Sequence, residues 1–84
     1  MKNKILVELF IPEIETTYDI FLPINRKAGS VIKLVNKAVL ELSDGIYTGG
    51  TTNFLYNSDT GEKYEVDKIL KATDIRNGTK LILF

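Results

Sequence analysis

Residues 28–42 (AGSVIKLVNKAVLEL) constrain this chain more than any other stretch, because they form its one long helical pattern. Val31, Leu34, Val35, Ala38 and Leu42 recur at three- and four-residue steps, a spacing that predicts one shared apolar face. Lys33, Asn36, Lys37 and Glu41 fall opposite, where water solvates them. Ile32, Val39 and Leu40 widen the stripe beyond what a flat support needs, so the helix is expected to lie in a curved sheet. Asn25 is the best N-cap by residue type, with Ser30 as the cap of a shorter helix. Gly45 is placed to take the left-handed conformation of a C-cap.

The flanking segments alternate as strands do. In 5–11, Ile5, Val7, Leu9 and Ile11 share one face, and Leu6, Glu8 and Phe10 the other. Pro12 breaks that run, and 17–24 follows with Tyr18, Ile20, Leu22 and Ile24 on one face. Two such runs across a short polar loop predict an antiparallel hairpin. Pro23 lacks an N–H, which puts the second strand at a sheet edge.

After the helix, 46–53 with Gly49-Gly50 reads as a loop; it lacks the spacing and the lysine of a phosphate-binding loop. Short strands are expected at 54–56 and 62–66 around the turn signal 57–61. One short turn of helix or a tight connector follows at 67–71, from which Ile69 or Leu70 plugs the core. A turn at 74–78 needs positive φ at Gly78, and 79–84 is the last strand. In it Leu81 and Leu83 point one way and Lys80, Ile82 and Phe84 the other. Hairpin, helix, two short strands, connector and final strand give an α+β class, a β-grasp. A mixed five-stranded sheet would pack on one helix, with the last strand parallel to the first.

With 84 residues there is room for one domain, residues 1–84, and one core. Eleven basic residues balance eleven acidic ones, which argues against nucleic acid as the main partner. There is no cysteine and no histidine, so thiol chemistry, disulfides and the commonest general base and metal ligand are missing. No cofactor or metal is expected. Glu13 with Glu15, and Glu62 with Glu65, read as solvated charge, since nothing suggests a pocket to raise a carboxylate pKa. The sequence therefore argues against an enzyme. The apolar start at Ile5 is interrupted by Glu8, which is too short for a secretory segment, and no run reaches the length of a membrane span. A cytoplasmic protein is expected.

Residues 69–83 (ILKATDIRNGTKLIL) resemble the ending of ubiquitin-like proteins: a leucine-bearing turn, an isoleucine, a polar-glycine turn and an alternating last strand. Residues 18–23 (YDIFLP), running into 31–35 (VIKLV), are similar to the small YukD-like proteins of Gram-positive type VII (WXG-protein) secretion systems. The resemblance implies a ubiquitin-like fold and a protein partner, a cytoplasmic component of that machinery. A conjugated modifier ends in a flexible pair of glycines. The sequence reads to Phe84 inside the last strand, so neither conjugation nor sulfur-carrier chemistry is expected.

The sheet face turned away from the helix is the candidate contact surface. Leu6, Phe10, Tyr56, Ile82 and Phe84 are its expected protein-binding anchors, as one contiguous apolar set. Homodimerisation through that face, or its cover by the C-terminal residues or the 46–53 loop, are the alternatives. A different class of function is a small β-grasp module for a small ligand or nucleic acid, with Arg26, Lys27, Lys33 and Lys37 as a sparse basic flank.

Overall fold

The computed structural model describes residues 3–48 and 53–84. Its elements are β1 (Lys4–Ile11), β2 (Thr16–Pro23), α1 (Ala28–Leu42), β3 (Leu55–Asn57) and β4 (Lys80–Leu83), with single 3-10 turns at Pro12–Ile14 and Leu70–Ala72. The sheet order is β2-β1-β4-β3. β1 pairs antiparallel with β2 and parallel with β4, and β3 pairs antiparallel with β4. As predicted, the last strand lies beside the first, and the Pro23-bearing strand is at an edge.

The sheet has four strands, not the expected five. Residues 62–66 make a single bridge, Lys63 with Tyr56, and then leave the sheet. The physical reason lies at the start of α1. The amides of Ala28 and Gly29 donate to the carbonyls of Lys68 and Val66 at 2.8 and 2.9 Å. The Val66 carbonyl, at the end of the expected fifth strand, and that of Lys68 just beyond it are thus committed to the helix N-terminus, whose amides have no partner within the helix. This also replaces the expected side-chain cap. The N-cap residue is Lys27 and no side chain caps there, so neither Asn25 nor Ser30 has that role. A Cβ on Gly29 would come within 3.3 Å of the Val66 carbonyl, so the close approach favours glycine.

Fixing the helix start fixes its rotation. Ala28, Val31, Ile32, Val35 and Val39 are buried against the sheet. Leu34 and Leu42, expected on that face, are 46% and 58% exposed, and Ala38 is half-buried. Leu34 sits about 100° round the axis from Val35, on the flank of the stripe. The over-wide apolar pattern allowed two rotations, and the bonds to Val66 and Lys68 select one.

Ile5, Val7, Leu9 and Ile11 of β1, Leu22 of β2, Leu55 of β3, and Leu81 and Leu83 of β4 supply the sheet side of the core. Leu70 plugs it, whereas Ile69 is exposed. Gly45 and Gly78 adopt positive φ, +82° and +85°, as the turns require. Tyr47, which the sequence places in a loop, is buried. Its hydroxyl donates to Asn36 Oδ1 of α1 and accepts from Asn53 Nδ2 at 2.7 Å. Gly49-Gly50 lies outside the described residues.

Candidate protein-contact face

Strand alternation decides which side chains face away from α1. The partners of buried Leu55 and Leu83 in sequence are Tyr56, Ile82 and Phe84, and those of buried Val7 and Leu9 are Leu6, Glu8 and Phe10. The register then places these residues laterally. Thr17, Phe10, Ile82 and Tyr56 form one row across the sheet. Phe84 lies on the next row, where it and Phe54 exchange backbone hydrogen bonds at 3.0 and 3.1 Å. The Lys63 ammonium sits 4.4 Å from the centre of the Phe54 ring, a cation–π contact at the rim. Phe10 is 37% exposed and Phe84 71%; Ile82 and Tyr56 are half-buried.

Leu6 stands apart from this group. On β1 it is separated from Phe10 by Glu8, about 13 Å along the strand. Its cross-strand partner is Phe21 of β2, which is 51% exposed. Between the two apolar patches runs a charged row: Asp19 of β2, Glu8 of β1 and Lys80 of β4. The five expected anchors are therefore not one contiguous set. Four of them meet, Phe54 joins them, and Leu6 belongs to a second patch with Phe21. Phe21 escaped the sequence reading because alternation assigns it to a face without saying what lies beside it.

The described part of the 46–53 segment does not roof this face. Tyr47 and Asn53 turn to the helix side through Asn36, and the Thr48 amide donates to the Glu13 carboxylate. A separate open depression of about 370 Å³ lies between the β2 edge and α1, lined by Phe21, Pro23, Leu34 and Ala38 among others. That depression is where the exposed Leu34 sits.

The groups with resolved pKa shifts lie elsewhere and move away from reactivity. Burial, and then donation to the Asp74 carboxylate at 2.6 Å, push the Tyr64 phenol up to about 12, against a smaller lowering by the Asn57 amide. Burial raises the Tyr47 phenol in the same direction. Both stay protonated near neutral pH. Among the described residues no group of three or more Asp or Glu side chains is placed to hold a metal ion. No helix among them is long and apolar enough to cross a membrane.

A two-stranded antiparallel hairpin, a helix crossing over to bring the last strand in parallel beside the first, and a short outer strand complete a β-grasp. The fold is ubiquitin-like. No protein-family model and no curated protein matches the chain. Solved structures do. The ubiquitin-like domain of the Mycobacterium tuberculosis type VII secretion system protein ECCD1 is similar with a TM-score of 0.73 at 13% identity, over 95% of this chain and 96% of that one. The EccD5 ubiquitin-like domain from Mycobacterium xenopi gives 0.66 at 15% identity, over 96% and 92%. A chain of the MycP5-free ESX-5 inner membrane complex gives 0.69 at 18% identity; 98% of this ubiquitin-like chain covers only 21% of it. At these identities the likeness is one of fold.

Proposed function

We propose that this chain is a non-enzymatic, cytoplasmic ubiquitin-like adaptor that docks a protein partner through the outer face of its sheet, in the setting of a type VII secretion machine. The observation that carries the reading is the apolar group of Phe10, Ile82, Tyr56 and Phe84, partly exposed among the described residues, on a sheet whose opposite face is packed in the core with the helix. Exposed apolar groups of this kind commonly mark contact surfaces, and aromatic side chains often dominate the energetics there. The similar ECCD1 domain, whose name places it in a type VII secretion system, supports the setting. Leu6 and Phe21 extend the same face as a second anchor point.

The test is capture of secretion-system components from the native host by the tagged chain, repeated with Ile82→Asp and Phe84→Ser. Both substitutions should leave a cooperative melt and abolish capture. Recovery of the same components by either variant sinks the assignment of the face.

A further inference from the structure

The outer face breaks a sheet rule at its centre. Glu8 and Asp19 are directly opposite across β1 and β2. The Ile24 amide donates to Asn3, and bonded pairs alternate with unbonded ones, so Glu8 and Asp19 form an unbonded pair, the closer kind. Like charges directly opposite weaken a sheet. Lys80 faces Glu8 from β4 but is two strands away from Asp19, so it balances one carboxylate and leaves the pair at the edge. Nothing in the packing requires this, since both residues project from the face that α1 does not touch. A local rule broken without a structural gain is where function is expected.

We propose that the partner segment carries a lysine or arginine that sits over Glu8 and Asp19, flanked by two apolar side chains, one for Leu6 and Phe21 and one for Phe10 and Ile82. This rests on the outer face being the docking surface and names the chemistry of its occupant. The spacing follows from the strand. The two patches are about 13 Å apart. A partner helix spans that distance in about eight residues, with the base at the midpoint and all three side chains on one face. An extended segment spans it in about four. The cation relieves the repulsion that the free sheet carries, so the complementarity has a cause on each side of the interface.

Displayed random peptides selected on the immobilised chain test this. Each recovered peptide is re-measured on Ile82→Asp and on the double variant Glu8→Lys/Asp19→Lys, which keeps a like-charge pair but turns the Glu8–Lys80 attraction into repulsion, so its melt is recorded beside the parent's. Glu8→Gln/Asp19→Asn serves if the reversal fails to fold. The expected result is peptides that need Ile82, carry a base between apolar residues, and lose about tenfold in affinity on charge reversal, less at high salt. Peptides that need Ile82 yet show no basic preference and bind the double variant equally overturn this inference and leave the docking face standing. If no recovered peptide depends on Ile82, the docking face fails and this inference with it.

Discussion

Leu81 and Ile82 are adjacent in the chain and answer to different demands. Leu81 is buried under α1 with Leu9 beside it, while Ile82 looks out beside Phe10 and Tyr56. The inner face is apolar through its centre, where its side chains pack in the core cluster, with Thr16 and Asn57 as polar residues at its ends. The outer face is mixed, with two apolar patches and a charged row between them. The difference teaches that stability is concentrated on one side of a four-stranded sheet, leaving the other free to depart from what folding alone favours.

The sharpest way to break this comparison is Val35→Asp, which puts an unpaired carboxylate against the inner face. A cost of about 4 kcal/mol or more should unfold a domain of this size, seen as loss of the cooperative melt. A melt close to the parent would show the faces to be misassigned. Leu81→Ala should cost about 2–5 kcal/mol by denaturant titration, because a cavity opens beneath α1. Tyr64→Phe removes the bonds to Asp74 and Asn57 and should cost about 1–2 kcal/mol.

Tyr64 also gives a pH signature. Its folded pKa of about 12 lies above the ordinary value of 10, so the fold holds the phenolic proton more tightly than the unfolded chain does. That stabilisation is complete below pH 10 and is lost as pH rises through 12. Alkaline melts of the parent should fall over this window, and those of Tyr64→Phe should fall less.

Changes on the outer face should be small by the same measure. Phe84→Ser and Ile82→Asp should each shift stability by no more than about 1 kcal/mol while abolishing partner capture. Asp19→Lys should raise stability, by about 0.2–1 kcal/mol, by pairing opposite charges across β1 and β2. A neutral or negative effect there would mean that Glu8 and Asp19 do not repel in the sheet.

Much of this arrangement was legible in the residues. Alternation in 5–11, 17–24 and 79–84 placed three strands and both their faces, and Pro23 marked the edge. The parallel return of the last strand followed from element order. What alternation cannot encode is lateral position. Leu6 and Phe10 share a face by period, but only the register shows Glu8, Asp19 and Lys80 lying between their neighbourhoods. Residues 62–66 follow a turn signal as a returning strand would, but the structure gives the Val66 carbonyl to the helix instead. Leu34 is exposed because the helix starts on backbone bonds to Val66 and Lys68, groups far away in sequence and silent in any local pattern. Tyr47 lies in the expected loop, and its burial rests on Asn36 and Asn53, side chains that local pattern does not bring together.

One pairing has a consequence in time. The amide of Leu6 donates to Asn77 Oδ1, 71 positions onward, and β1 is flanked by β4 along its other side. During synthesis the hairpin of β1 and β2 emerges before α1 and β4, with its inner residues bare and one edge open. Its missing neighbour is the last of the described strands. The sheet therefore closes only once residues 80–83 have emerged, and intermediates stalled before residue 80 should be the ones that chaperones hold or that aggregate.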